Sequence, residues 1–89
     1  MVFKVLWDEG TAEELVAIGR VNAETVIAKV ESYLSQSPLT LGKPLRGSFE
    51  GLYRYRIGKC RVIYEVDAED RIITVLRVGF RKDIYSELK

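Results

Sequence analysis

Apolar and polar residues alternate near both ends of the chain and recur at intervals of three and four in between, and this change of period predicts strands around a helical segment. Residues 2–7, Val-Phe-Lys-Val-Leu-Trp, are β-branched and aromatic around a single charge, which predicts an opening strand. Asp8 or Thr11 can then cap a helix. Glu13 and Glu14 fall in its first turn, where the backbone dipoles favour negative charge, and its end is expected near Gly19. Asn22 is the expected cap of a second helix running from Ala23 to about Ser35, with Val26, Ile27, Val30, Tyr33 and Leu34 forming an apolar stripe. Two amphipathic helices in succession predict a helical hairpin on one sheet face. From Ser35 to Pro44 turn residues dominate, opening a loop that is expected to run to about Gly51.

The alternation returns at Leu52-Tyr-Arg-Tyr-Arg-Ile-Gly-Lys-Cys-Arg-Val-Ile-Tyr64. A two-residue turn at Gly58-Lys59 would set Ile57 opposite Cys60, Tyr55 opposite Val62 and Tyr53 opposite Tyr64, on the face better suited to a core. Arg56 would then face Arg61 on the other side, with Arg54 beside Ile63. Like charges directly opposed weaken a sheet, so their presence asks for an anion. The strands are expected over 52–57 and 60–66. A polar turn at Asp67 to Asp70 leads to a last strand, Ile72 to Val78, whose apolar residues on both faces leave its register open. Arg81 to Leu88 is expected to form a short terminal helix or tail. The order β-α-α-β-β-β predicts a single α+β domain over residues 1–89, with a small, mainly antiparallel sheet.

Composition narrows the chemistry. Eighty-nine residues, 47% of them hydrophobic, suit one modest core. No run approaches a membrane span and the N-terminus is too short in apolar residues for a signal peptide, so a soluble, cytoplasmic protein with no membrane partner is expected. A lone cysteine, Cys60, and the absence of histidine exclude the usual zinc sets and histidine acid–base catalysis. No metal and no cofactor are expected. Net charge is only +1, but residues 1–40 sum to −3 and residues 41–89 to +4. The basic half is the half with the arginine hairpin, which points to a polyanionic or acidic partner.

Arg54, Arg56 and Arg61 form the main candidate site, since the guanidinium fork donates two parallel hydrogen bonds to a phosphate. Lys43, Arg46, Arg77 and Lys82 extend it as candidate RNA contacts, and Arg81 and Tyr85 lie just past the last strand. Cations on the backbone and an aromatic ring against a base are a common way to hold RNA. Each residue also has a plainer explanation. Alternating arginines are often a solvated face, Cys60 a small buried hydrophobe, Trp7 and Phe80 packing residues, Tyr85 a staple for the tail, and the glutamates of the first helix a solvated stripe.

The hairpin, the short turn, the hydrophobic strand and the ending Val78-Gly-Phe-Arg-Lys-Asp-Ile-Tyr85 together resemble the RelE/ParE toxin superfamily, on its RelE side. Members commonly carry a Trp-Arg-Tyr-Arg-Val-Gly-Asp-Tyr-Arg hairpin and a Gly-His-Arg-x-x-Tyr ending. The resemblance implies the toxin of a type II toxin–antitoxin pair: a ribosome-dependent endoribonuclease that cuts mRNA in the A site by metal-free attack of the RNA 2′-hydroxyl. By position it implies Arg54 and Arg56 as the basic pair, Arg61 as the phosphate ligand, Arg81 as the transition-state or leaving-group cation and Tyr85 as the residue that stacks on or activates the nucleotide. It also implies a cognate antitoxin, and the acidic helical face at Glu13, Glu14 and Glu24 could receive basic residues of such a partner. Phe80 stands where many relatives have His, and Lys59-Cys60 where Asp-Tyr is common. The same resemblance admits a ParE-like gyrase inhibitor, or an RNA- or antitoxin-binding module that does not cleave.

Overall fold

The computed structural model describes residues 2–80, so the helix or tail expected over Arg81 to Leu88 lies outside the described residues. In chain order the elements are β1 (Lys4–Trp7), α1 (Thr11–Ala17), α2 (Arg20–Ser32), a 3₁₀ turn (Leu34–Gln36), α3 (Pro38–Leu41), β2 (Lys43–Pro44), a second 3₁₀ turn (Gly47–Phe49), β3 (Leu52–Ile57), β4 (Cys60–Asp67) and β5 (Ile72–Phe80). The strands make one mixed sheet in the order β1-β5-β4-β3-β2, the α+β architecture expected from the sequence. The hairpin register is also the expected one, from Ile57 against Cys60 to Tyr53 against Tyr64. Gly58 supplies the positive φ, 59°, at the first turn position, where a two-residue hairpin needs it. β1 runs parallel to β5, so the chain must cross back over the sheet, and α1 and α2 are that crossover.

Val26 and Val30 of α2, with Ile18 and Leu34, bury against Ile57, Cys60, Val62, Tyr64, Ile73, Val75 and Val78. Because β4 is the middle strand, its other face is closed as well: Arg61 is only 4% exposed and Ile63 1%. No helix among the described residues is long and apolar enough to cross a membrane.

The helix boundaries depart from expectation for local reasons. Gly19, at φ 92°, reverses the chain directly between α1 and α2, so α2 starts at Arg20. Asn22 therefore lies inside α2, where its Nδ2 donates to the Ile18 carbonyl at 2.8 Å instead of capping a start. Neither Asp8 nor Thr11 caps α1 with its side chain; Gly10 holds that position, and Thr11 Oγ1 donates to the Asp8 carbonyl at 2.6 Å. The stretch expected as loop holds α3 and β2. Ser37-Pro38 starts α3, with proline in the first turn where its missing N–H is harmless.

Tyr64 ties this stretch to the sheet. It is fully buried, stacks on Tyr53 at 5.6 Å between ring centroids, and its Oη donates to the Pro38 carbonyl at 2.6 Å. Burial, helped by Tyr53 and Tyr55, pushes its phenol well above the ordinary 10.0. The folded protein thus keeps a proton that the unfolded chain gives up. This contribution to stability is complete below pH ~10 and is lost as pH rises beyond it. Tyr64→Phe is expected to flatten the fall in urea midpoint above pH ~10, while costing about 1 kcal/mol at neutral pH through the lost hydrogen bond. Urea titrations of both proteins across that range provide the check, and equal slopes would contradict it.

Candidate functional site

On the sheet face away from the helices, the ladder puts Arg56, Arg61 and Gly79 in one row across β3, β4 and β5, and Arg54, Ile63 and Arg77 in the next. Adjacent strands lie ~4.8 Å apart, so four arginines share a small area. Gly79 brings no side chain to the row of the buried Arg61. Arg77 reaches this face through a bulge: Ile63 pairs with Arg77 but Tyr64 with Val75, leaving Leu76 as the extra residue. The bulge resets the alternation, so that Val75 and Val78 both face the core and Arg77 falls between them on the outside. This is why periodicity alone left the strand's register open.

A cavity of about 270 Å³ opens beside these rows, lined by Leu41, Lys43, Arg54, Tyr55, Arg56 and Arg61. It exists because β2 is short. Lys43 pairs with Arg54 and Pro44 with Tyr53, and β2 contributes nothing beside Tyr55 to Ile57. The chain enters β2 from α3 through Gly42, which sets Leu41 at the edge of the gap. A second depression shares Lys43 and Arg54 and adds Pro44, Leu45 and Arg46, so the cationic surface continues over β2. Five of the expected cations, Lys43, Arg46, Arg54, Arg56 and Arg61, are therefore contiguous. Arg81, Lys82 and Tyr85 lie outside the described residues.

Arg77 is adjacent but engaged. Its Nε donates to Glu14 Oε2 at 2.8 Å, a contact that overturns the reading of Glu14 as part of a solvated acidic face. Sequence reasoning also missed Leu41 and Tyr55. Alternation had assigned Tyr55 to the core side, which holds for its strand face but not for its place at the open sheet edge. Its phenol is pushed above 10.0, first by burial and then by Tyr33, so at neutral pH it keeps its proton and can donate a hydrogen bond to a ligand. Burial likewise raises the Cys60 thiol, consistent with a packing role. Fixed guanidinium donors, an ammonium, a neutral phenol and an apolar wall can hold a phosphate with an adjoining flat or apolar group.

Residues 5–85 match the family model described as the ParE toxin of type II toxin–antitoxin systems, parDE. The chain belongs to the RelE/ParE toxin superfamily. Toxin RelG of Mycobacterium tuberculosis is 44% identical over 52 residues, 58% of this chain and 60% of that protein's length. Toxin RelE of the same organism is 31% identical over 74 residues, covering 83% of this chain and 76% of the relative. Among solved structures, the toxin–antitoxin complex RelBE2 of M. tuberculosis contains a chain that superposes with a TM-score of 0.87 at 28% identity, covering 91% of this chain and all of that one. In this RelE/ParE member, the matched span takes in both the arginine hairpin and the segment from Val78 to Tyr85.

Proposed function

We propose that this chain is the toxin of a type II toxin–antitoxin pair, acting in the cytoplasm as a ribosome-dependent endoribonuclease that cuts mRNA in the A site. The observation that carries this reading is the clustering of Arg54, Arg56, Arg61 and Lys43 around one cavity, with Arg61 almost wholly withdrawn from water. In such a site a cation acts on charge with little solvent screening and without reorganising. The reaction is attack of the RNA 2′-oxygen on the adjacent phosphorus. An O–P bond forms to give a cyclic phosphate, the bond to the 5′-oxygen breaks, and a proton moves from the 2′-hydroxyl to the leaving oxygen. The arginines stay protonated, so they orient the phosphate and stabilise its developing charge but do not take the proton. Tyr85 is the proposed proton-transfer group and Arg81 the cation at the leaving oxygen. The partner is a cognate antitoxin; that the similar RelBE2 toxin was solved as a toxin–antitoxin complex supports it.

The test is induction of the parent, Arg81→Ala and Tyr85→Phe in bacteria, with mRNA 5′ ends mapped on translating ribosomes. The parent is expected to yield new ends within A-site codons, and Tyr85→Phe to lower their rate of appearance about 10²-fold, the range for losing a proton-transfer group. Variants that cut like the parent would remove these two roles. The ParE description of the matching family gives a gyrase inhibitor separate standing. Growth arrest without cuts, together with inhibited supercoiling, would replace the nuclease reading with that one; neither effect from a soluble protein would leave a non-cleaving binder.

A further inference from the structure

β1 ends at Trp7, and the last bond it shares with β5 is Asp8 N–H to the Val75 carbonyl at 2.9 Å. β5 continues for five residues beyond Val75, to Phe80, paired only with β4 among the described strands. An open strand edge is a poor support for anything that must be held still. One side chain takes the place of the missing strand. Glu14, in the first turns of α1, accepts the Val78 backbone N–H on Oε1 at 2.9 Å and Arg77 Nε on Oε2 at 2.8 Å. Both oxygens of one carboxylate are thus spent on consecutive residues of β5, just past the bulge that re-aims Arg77. Glu14 is itself only 24% exposed at its side chain, so the pair is partly withdrawn from solvent.

We propose that Glu14 is a positioning residue for the arginine site, acting as a surrogate β-strand that pins the outer half of β5. Gly79, the next residue, lies opposite Arg61, and Phe80 precedes Arg81 directly in the chain. A shift at Val78 is passed along covalently to both. The two halves of the contact do different work. The Val78 bond sets the path of the strand, and the Arg77 bond holds one guanidinium toward α1 and compensates its charge at the border of the phosphate surface. The consequence for RNA rests on the nuclease reading; the pinning of β5 does not.

The experiment compares the parent with Glu14→Ala, Glu14→Gln and Arg77→Met, by amide hydrogen exchange at Val78 and by steady-state cleavage of mRNA on programmed ribosomes. Glu14→Ala is expected to speed Val78 exchange at least about tenfold and to lower kcat by about 10- to 100-fold, with KM changed by less than about threefold, as for a reacting centre displaced by a fraction of an ångström. Gln keeps an oxygen for Val78 but loses the charge on Arg77. Glu14→Gln should therefore restore Val78 protection and kcat to within about threefold of the parent. Arg77→Met should leave Val78 exchange unchanged. A Val78 amide as protected in Glu14→Ala as in the parent would overturn the proposal, as would a folded Glu14→Ala with parental kcat. If the parent itself does not cut, the nuclease reading fails, and Val78 exchange alone decides the pinning: acceleration in the alanine variant supports it, no change overturns it.

Discussion

Arg61→Ala is expected to slow the proposed mRNA cleavage on ribosomes by about 10²- to 10³-fold, the range for removing one preorganised donor from a site where charge develops. Three features of its position make it the largest single effect among the described cations. It sits on the middle strand, it is 4% exposed, and its row neighbours are Arg56 and a glycine. Arg56 directly opposite Arg61 is unfavourable in itself, and an anion bound beside the pair would offset that repulsion. Arg61→Lys keeps the charge but loses the planar fork, and should recover only part of the rate. Arg56 is exposed, so Arg56→Ala should act mainly on KM and flatten its salt dependence. Arg20→Ala, with a side chain 89% exposed at the start of α2, serves as the control and should cleave like the parent. Single-turnover rates on programmed ribosomes decide this. An Arg61→Ala protein that cuts within about threefold of the parent would move the phosphate site elsewhere.

The second large effect is on stability and comes from Gly42→Ala. Gly42 has φ −86° and ψ 166°, which any residue can adopt, so its glycine is required for closeness and not for backbone freedom. A Cβ there would overlap Tyr64 Oη and approach Tyr64 Cζ to 2.8 Å and the Arg54 carbonyl oxygen to 3.0 Å. Neither neighbour can yield easily. Tyr64 is fully buried, stacked on Tyr53 and bonded to Pro38, and the Arg54 carbonyl belongs to β3. Overpacking of this kind costs about 1–3 kcal/mol. The strain would be released by lifting the α3–β2 connection, which carries Leu41 and Lys43, so the cavity should open and RNA affinity fall together with the melting temperature. Tyr64→Phe removes the overlapped oxygen. The double variant Gly42→Ala/Tyr64→Phe should therefore be more stable than the sum of the single effects implies, a coupling of about 0.5–1 kcal/mol or more in a double-mutant cycle. Urea or thermal unfolding of the four proteins measures it, and an unchanged Gly42→Ala midpoint would show that the connection moves at no cost.

How much of the site could be seen in the sequence follows from which contacts are local. Strict alternation on either side of Gly58-Lys59 sufficed for the β3–β4 register, for the core face of Ile57, Cys60, Val62 and Tyr64, and for Arg56 opposite Arg61. A two-residue turn and a period of two leave no freedom there. The same alternation had nothing to say of Lys43-Pro44, because a two-residue strand has no period. It also failed for Arg77, because one extra residue at Leu76 resets the phase of the strand.

By its own pattern, then, the sequence determined the hairpin, its arginine face and the α+β class, and its motifs resemble the toxin superfamily to which the chain belongs. Only the tertiary structure decided that β1 lies parallel beside β5, that Tyr55 and Leu41 border a cavity left by a short β2, that Gly42 must be bare against Tyr64, and that Glu14 holds Arg77 and Val78. Each of these joins residues separated by 14 to 68 positions in the chain. Their energy comes from packing and from satisfying buried or edge-exposed backbone groups once distant segments have met, and no local periodicity encodes that.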